Sequence, residues 1–367
     1  MSTLIEGLLA QNLKALKPYE SARRLYSSES AGDSQQIWLN ANESPYSNDY
    51  EINPERFNRY PDCQPPTVVN SYAQYAGINK EQLLLSRGAD EAIELLIRTF
   101  CTPGRDKILI CPPTYGMYAI SAETCNVGVI KAPLLADFSL DVPAICAHKG
   151  KVNLVYICSP NNPTGTTVDK TQLQAVIEHF ADSALVIVDE AYIEFDLASN
   201  WAMHLAQHPN LVILRTLSKA FALAGLRCGF ALASAEIIQA MMKVIAPYPI
   251  PEPVAQIAAQ ALSKQGLLKM SQQVLEIKAQ KAKMKLALED INEIVLVGDD
   301  KANFILFRST KKQALMDHLV ANGLLIRDQS KQLNLEHCLR ITIGNPQQNE
   351  QLLAAIASFF AQQEKSA

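Results

Sequence analysis

A single lysine, Lys219, lies among small and apolar residues in the stretch RTLSKAFALAGLRCGF (215–230), and Arg227 follows it. An ammonium group is costly to bury unless it is paired or loses its proton. This lysine therefore either reaches water along its aliphatic stem or takes part in chemistry. Taken alone, a lysine that reaches water is the commoner case, so the surrounding stretches have to decide between the two.

Two further polar groups follow apolar runs. Asp189 ends the run LVIVD, and Asn162 lies in the loop SPNNPTG (159–165), which follows the run LVYIC. If these runs and LVILRT (211–216) are neighbouring parallel strands, their carboxyl ends lie at one edge of a sheet, where ligands bind. A turn, a helix cap or a surface ion pair would explain each group singly. Together they predict a site that holds an amide, a carboxylate and an amine.

The elements that would position these groups alternate between short Val/Ile-rich runs and helical segments, from about residue 87 onward. This pattern is typical of an α/β fold whose large, mostly parallel sheet is covered by helices. The proline-rich stretch APYPIPEP (246–253) comes next, followed by a long helical stretch at about 254–291 and a mixed region with the strands FILF and CLRITIG. A smaller α+β domain is therefore expected at the C-terminus.

The domain organisation follows from these changes of pattern. Apolar residues from Leu4 to Leu16 form one helical stripe before Pro18, which predicts an N-terminal helical arm docked on protein. We expect four regions, namely the arm at 1–35, packed on the small domain or on a partner subunit, the large cofactor-binding domain at 36–250, a long connecting helix at 251–290, and the small C-terminal domain at 291–367.

Composition excludes several classes of function. The 367 residues include 33 basic and 37 acidic side chains, for a net charge of −4 without a basic block, so no nucleic-acid partner is expected. No apolar stretch reaches the roughly 18 residues that a membrane span needs. The eight cysteines form no Cys-x-x-Cys pair and several lie in apolar runs, which favours a reducing compartment and a cytoplasmic protein. We expect no bound metal.

One cofactor explains the amine, the acid and the amide together. Pyridoxal phosphate needs a lysine for a Schiff base, an acidic partner for its ring nitrogen, donors to its ring hydroxyl and a cradle for its phosphate. The order SPNNPTG, DEAY and SKAFALAGLRCGF resembles the fold-type I aminotransferases. The stretches LNANESP (39–45), NRYPD (58–62), SRGADEAIELLIRTF (86–100), LIRDQ and LRITIG are similar to the histidinol-phosphate aminotransferase family within that group.

The resemblance implies a role for each residue near the cofactor ring. It implies that Lys219 forms the Schiff base and then moves the proton between the substrate Cα and the cofactor. A neutral amine suits that step. It further implies that Asp189 keeps the ring nitrogen protonated, that Asn162 and Tyr192 donate to the ring hydroxyl oxygen, and that Tyr115 stacks on the ring. A tyrosine packed in the core is nearly as good an interpretation of Tyr115 from the sequence alone.

The phosphate cradle is expected at the start of a helix, where Ala89 and Asp90 follow a glycine and free backbone N–H groups favour an anion. The resemblance adds Ser218 and Arg227 as further donors. It also implies that Tyr60 reaches the cofactor phosphate of the neighbouring subunit in a homodimer. A loop tyrosine on its own surface is the alternative interpretation.

The substrates implied are L-histidinol phosphate and glutamate or 2-oxoglutarate, so one pocket has to accept a phosphate and a carboxylate. The resemblance assigns Arg340 as the general anion-binding arginine, Arg327 as a second phosphate contact, and Tyr19 as a residue that closes the pocket, with Asn162 also at the substrate. An arginine on a strand is otherwise more often solvated. Asn345 and Pro346 depart from the family pattern but lie beyond Arg340.

Other functions stay open at this point. An aromatic amino-acid aminotransferase or a phosphothreonine decarboxylase would use the same fold. A non-catalytic regulatory module is disfavoured because no basic DNA-binding segment precedes residue 40. A nicotinamide dehydrogenase is disfavoured because no Gly-x-Gly-x-x-Gly follows a strand.

Overall fold

Residues 3–14, 16 and 36–364 are described by the computed structural model. Their strands are β1 (Ile37–Trp38), β2 (Leu83–Ser86), β3 (Lys107–Ile110), β4 (Gly128–Lys131), β5 (Leu154–Cys158), β6 (Leu185–Asp189), β7 (Leu211–Thr216), β8 (Gly229–Leu232), β9 (Val295–Val297), β10 (Phe304–Arg308), β11 (Leu324–Leu325), β12 (Arg327–Asp328) and β13 (Cys338–Thr342).

Their helices are α1 (Thr3–Leu8), α2 (Pro66–Ala76), α3 (Gly88–Phe100), α4 (Met117–Thr124), α5 (Val142–Cys146), α6 (Lys170–His179), α7 (Ala235–Met241), α8 (Glu252–Ala261), α9 (Lys264–Glu289), α10 (Lys312–Ala321) and α11 (Pro346–Glu364). Within the described ranges, no helix combines the length and the apolar character that crossing a membrane requires.

A seven-stranded sheet forms the larger unit, with the spatial order β2-β8-β7-β6-β5-β3-β4. The five neighbouring strands β4, β3, β5, β6 and β7 run parallel, and β8 pairs antiparallel with both β7 and β2. The central strands β5 and β7 are buried over their full length, because helices cover both faces of the sheet. Continuous apolar runs are what such doubly covered parallel strands require, so the predicted α/β fold is confirmed.

The smaller unit is built on a four-stranded antiparallel sheet in the order β12-β13-β10-β9, against which α9 packs. The strands predicted at FILF and CLRITIG are β10 and β13 of this sheet. A short parallel pair, β1 with β11, ties residues 37–38 to the same region. The expected boundaries at residues 250 and 290 stay predictions.

Two local predictions were wrong. The long connecting helix expected at 251–290 is two helices, since α8 ends at Ala261 and the side chain of Ser263 accepts a hydrogen bond from the N–H of Gly266 to begin α9. The N-terminal stripe does not form one continuous helix, because α1 ends at Leu8.

The described part of the N-terminal arm contacts the larger unit of its own chain, where the Asn12 amide donates to the carbonyl oxygens of Glu123 (2.9 Å) and Thr124 (3.3 Å). Those carbonyls end α4 in the larger unit, where they lack partners inside the helix, so an amide donor stabilises them. The expected packing of the arm on the small domain or on a partner stays a prediction. Residues 15 and 17–35 lie outside the described part of the chain.

Candidate active site

The carboxyl ends of β5, β6 and β7 lie side by side at one edge of the large sheet. Cys158 is opposite Asp189, and Asp189 is opposite Leu214, so the three strands end at nearly the same level. Asn162, Asp189 and Lys219 follow or end these strands and line one cavity of about 710 Å³. The structure thus brings the amide, the carboxylate and the amine together.

Asp189 is a buried carboxyl group with two hydrogen-bond donors. Its Oδ2 accepts from the hydroxyl of Tyr118 at 2.6 Å, and its Oδ1 accepts from the backbone N–H of Ala191 at 3.1 Å. Burial raises the pKa of Asp189 to about 6, against the opposing effect of these two donors. A cationic ring nitrogen in the cavity would stabilise the ionised form of this carboxyl group.

Lys219 faces the same cavity from beyond the end of β7. Its Nζ donates to the carbonyl oxygen of Ala41 at 3.1 Å and lies 5.7 Å from the ring centre of Tyr192. Burial, together with the nearby positive charge of Arg340, lowers the pKa of Lys219 to about 8. A neutral amine is therefore accessible near physiological pH, as proton transfer and covalent attachment both require.

Tyr192 is oriented by an asparagine from a distant part of the chain. The amide of Asn42 donates to the Tyr192 hydroxyl at 2.9 Å, and the Asn42 backbone N–H donates to Oγ1 of Thr342 on β13. Since the phenol oxygen accepts this bond, its own hydrogen is available to a ligand in the cavity. Burial raises the pKa of Tyr192 above its usual value, so the phenol stays protonated.

The two asparagines of the SPNNPTG loop have different surroundings. The Asn161 amide is buried and donates to the Pro113 carbonyl (3.0 Å) and to Thr164 Oγ1 (2.8 Å), which fixes the shape of the loop. The Asn162 side chain is left to face the cavity, and its Oδ1 accepts from Nη1 of Arg340. Asn162 therefore links the large sheet to the smaller unit.

The start of α3 has the geometry that an anion cradle requires. The helix begins at Gly88, and no side chain caps it within the described residues, so its first N–H groups are available to an anion. A Cβ on Gly88 would lie 2.8 Å from Nη2 of Arg227, and one on Gly229 would lie 2.4 Å from the backbone of Gly88. The two glycines thus keep space for a guanidinium and a strand to approach the helix start.

The polar side chains around this cradle hold one another. Arg227 Nη1 lies 3.4 Å from Oγ of Ser218, and Nη2 lies 3.3 Å from Oδ2 of Asp90. The other oxygen of Asp90 accepts from the hydroxyl of Tyr115 at 2.9 Å. The Asp90 carboxylate therefore orients Arg227 and Tyr115, which leaves its backbone N–H, with that of Ala89, for an anion.

Two arginines of the smaller unit also line the cavity. Arg327 on β12 is directly opposite Arg340 on β13, and both line the cavity. Arg340 is buried, its Nη2 donates to the Asn40 carbonyl at 2.9 Å, and its guanidinium lies 5.3 Å from the ring centre of Phe304. The pair gives the cavity a second group of positively charged donors, of the kind that suits an anion.

One of the expected residues, Tyr60, does not line this cavity. Tyr60 is 78% exposed and stacks on Tyr248 with a centroid distance of 4.4 Å, away from the cavity of its own chain. Its expected contact with the neighbouring subunit stays a prediction. Tyr19 lies outside the described residues.

Sequence reasoning missed Tyr118 and did not assign a role to Asn42. Tyr118 lies in the first turn of α4, three residues after Tyr115, which precedes the helix, and the two ring centroids are 5.7 Å apart. Asn42 lies in the LNANESP stretch, which resembles the family but does not by itself indicate a partner for this side chain. Neither contact leaves a periodic signal in the sequence.

The chain is similar in sequence to known aminotransferases. A family model described as aminotransferase class I and II matches residues 26–356. The chain is 69% identical over 363 residues to a histidinol-phosphate aminotransferase of Pseudoalteromonas atlantica, covering 99% of this chain and 97% of the relative. It is 52% identical over 359 residues to the protein of the same name in Yersinia pseudotuberculosis, covering 97% of this chain and 92% of that one.

Solved structures have the same fold. A histidinol-phosphate aminotransferase of Clostridium acetobutylicum superposes with a TM-score of 0.77 at 27% identity, covering 83% of this chain and 91% of that chain. A histidinol-phosphate aminotransferase of Sinorhizobium meliloti in complex with pyridoxal-5'-phosphate gives a TM-score of 0.81 at 20% identity, covering 96% and 98% of the two chains. At 20% identity, the second likeness shows a shared fold only.

Proposed function

The chain belongs to the class I and II aminotransferases, and we propose that it transfers the amino group of L-histidinol phosphate to 2-oxoglutarate. The products are imidazole-acetol phosphate and L-glutamate, and the reaction is a step of L-histidine biosynthesis. The observation that carries this proposal is one cavity lined by Lys219, Asp189 and Asn162 from the larger unit and by two arginines from the smaller unit. The names of the full-length relatives support the choice of substrate.

The described residues fit pyridoxal phosphate. An acid whose pKa is raised by burial suits a cationic ring nitrogen, and the uncapped start of α3 with Ser218 and Arg227 suits a phosphate. Asp189 would hold the ring nitrogen, Tyr192 and Asn162 the ring hydroxyl oxygen, and Lys219 the aldehyde carbon. When bound, the cofactor supplies an aldehyde that exchanges amino groups and a protonated ring that withdraws electrons from the substrate Cα.

Lys219 would move the proton between the substrate Cα and the cofactor. With a pKa of about 8, its amine exists in both protonation states near neutral pH, so it can accept a proton and return it. The neighbouring Arg340 cation favours the neutral amine. The Ala41 carbonyl, 3.1 Å from Nζ, accepts a hydrogen bond from either protonation state and orients the amine towards the cavity.

Arg340 and Arg327 would bind the anionic end of each substrate. A planar guanidinium binds a carboxylate or a phosphate in bidentate fashion, so the same two residues can receive glutamate and histidinol phosphate in turn. Two guanidiniums also neutralise the two negative charges of a phosphate monoester. Tyr19 is proposed to close this end of the pocket.

A homodimer in the cytoplasm is part of the proposal. Phe57, Tyr60 and Tyr248 are at least half exposed, which suits a surface that another subunit covers. Tyr60 would then contact the phosphate held in the partner's cradle. All eight cysteines are free thiols, which suits a reducing compartment.

The assay that tests the proposal follows glutamate formed from L-histidinol phosphate and 2-oxoglutarate by the purified protein. We expect stoichiometric glutamate and no carbon dioxide. Release of carbon dioxide from phosphothreonine would favour the decarboxylase alternative. Efficient use of phenylalanine or tyrosine, with no glutamate from histidinol phosphate, would favour the aromatic amino-acid aminotransferase.

A further inference from the structure

The strand that carries Arg327 continues into a glutamine that faces the same cavity. Gln329 donates its backbone N–H to the carbonyl of Cys338 at 3.0 Å, which continues the antiparallel pairing in which Arg327 is opposite Arg340. Residues two apart on a strand share a face, so Arg327 and Gln329 point to the same side. Both line the cavity together with Arg340.

The amide of Gln329 is buried and oriented. Only 7% of the residue is exposed, and its Oε1 accepts a hydrogen bond from Nε2 of Gln332 at 2.9 Å. Gln332 also lines the cavity, and its backbone N–H donates to the Gln329 carbonyl in a tight turn. Because Oε1 is occupied by a donor, Nε2 of Gln329 is the group left for a ligand. Among the described residues it donates no hydrogen bond.

The other side of this strand is neutralised separately. Asp328 points away from the cavity side, and its carboxylate accepts from Nζ of Lys312 at 2.8 Å and from the backbone N–H of Ser330 at 2.7 Å. These bonds fix the strand against α10 and compensate the charge of Asp328. The end of the cavity near Arg327 therefore has two cations and a neutral amide donor.

We propose that Gln329 is a specificity-determining residue that favours a phosphate over a carboxylate at the arginine pair, and that Gln332 positions it. This inference rests on the proposed function. A carboxylate has two oxygens in one plane, which two guanidiniums can bind fully, whereas a phosphate monoester presents three terminal oxygens that are not coplanar with its ester bond. The third oxygen needs a further donor, and the amide of Gln329 supplies it.

The test compares holoenzymes that carry Gln329→Leu, Gln332→Leu or Gln313→Leu. Gln313 is the matched control, since it is exposed on α10 and donates to Asp317 outside the cavity. The half-saturating concentrations of L-histidinol phosphate, of glutamate and of unphosphorylated L-histidinol are measured from the visible spectrum and from steady-state kinetics.

Gln329→Leu is expected to raise the half-saturating concentration of histidinol phosphate about tenfold, because a hydrogen bond to a charged group is lost. In the same variant, the half-saturating concentrations of glutamate and histidinol should change by less than about twofold. Gln332→Leu should give a smaller loss of affinity that is again confined to histidinol phosphate. Gln313→Leu should leave all three concentrations unchanged. Equal losses for all three ligands, or no loss for histidinol phosphate, would overturn the inference. If Gln329→Leu does not fold, Gln332→Leu decides instead. Equal losses of affinity for all three ligands in Gln332→Leu would then overturn the inference.

Failure of the inference is distinguishable from failure of the proposed function. If the wild-type enzyme does not form glutamate from histidinol phosphate, the proposed function is wrong. If the wild type forms glutamate but Gln329→Leu leaves the ratio of the half-saturating concentrations of histidinol phosphate and glutamate unchanged, only the role of Gln329 is wrong.

Discussion

The hydroxyl of Tyr118 lies 2.6 Å from Oδ2 of Asp189, and both groups are buried at the edge of the large sheet. Burial alone would push the carboxyl group towards its neutral form, while this hydrogen bond favours the carboxylate. Tyr118 therefore keeps Asp189 able to act as an anion and fixes the direction of its oxygens.

Tyr118→Phe should weaken cofactor binding and lower activity. Without the phenol, the pKa of Asp189 rises further above about 6, so the carboxylate that would face the ring nitrogen becomes less stable. The lost hydrogen bond is worth about 1.5–3 kcal/mol, so the dissociation constant of pyridoxal phosphate should rise at least tenfold. Equilibrium dialysis with absorbance measures it.

Tyr156→Phe is the matched control for this prediction. Tyr156 is equally buried and stacks on Tyr118 at 4.9 Å, but its hydroxyl donates to the carbonyl of Ile93. Its removal should leave cofactor affinity within about twofold. Similar losses of affinity in the two variants would show that the Asp189 contact has no special role.

Lys219→Met should stabilise the cofactor-free protein, with a gain that depends on pH. The folded state lowers the pKa of Lys219 to about 8 from 10.5, so carrying the charge destabilises the folded state at every pH below about 8. As pH rises from about 8 to 10.5, the folded protein loses this proton before the unfolded chain does, and the wild type regains stability. The gain from methionine should be about 3 kcal/mol at pH 7 and fall towards zero near pH 10.5.

Urea unfolding of both proteins between pH 7 and pH 10 checks this prediction. A gain that stays constant across the range would mean that the amine is not perturbed in the fold.

The buried pair Arg215–Glu190 should be energetically coupled. Nε and Nη2 of Arg215 lie 2.9 and 2.7 Å from one carboxylate oxygen of Glu190, whose other oxygen accepts from the Trp201 backbone N–H. Removal of one partner leaves an uncompensated buried charge, so Arg215→Met or Glu190→Gln should each cost about 3–5 kcal/mol. The double variant should cost clearly less than the sum of the two.

A double-mutant cycle from denaturant unfolding gives this coupling. Strictly additive losses would show that the two groups do not depend on each other. Glu190 directly follows β6 and Arg215 lies near the end of β7. The variants therefore also show how far this contact holds those strand ends in place.

Gly298→Ala should disturb the loop that carries Asn162. Gly298 has φ of +76°, and an added Cβ would lie 1.9 Å from the carbonyl oxygen of Thr164, so the SPNNPTG loop has to move. Gly150 is the matched control, with φ of +73° and nothing within 4 Å of an added Cβ. Gly150→Ala should cost about 1–2 kcal/mol from backbone conformation alone, while Gly298→Ala should cost more and also lower kcat/KM. Equal losses of stability with unchanged kinetics would contradict the steric argument.

The sequence predicted the strand ends well because their signal is local. Continuous apolar runs mark buried parallel strands, and in such a sheet the residues after each run share one edge, so Asp189 and Lys219 could be placed together without coordinates. The start of α3 was equally predictable from the sequence, because an apolar periodicity begins just after a glycine.

Contacts between distant segments could not be predicted in this way. Tyr118 is 71 residues from Asp189, and Asn42 is 150 residues from Tyr192, and which hydroxyl or amide meets which partner depends on packing rather than on periodicity. The break between α8 and α9 was missed for a related reason, since a single serine cap interrupts an otherwise helical pattern. The roles assigned to individual site residues stay predictions.

The most direct test of the account is reduction of the purified protein with borohydride, followed by identification of the modified residue by peptide mass spectrometry. The account predicts that the visible absorbance of the cofactor disappears and that the pyridoxyl group is found on Lys219 alone. A pyridoxyl group on another lysine, or a Lys219→Ala variant that transaminates at the wild-type rate, would contradict it.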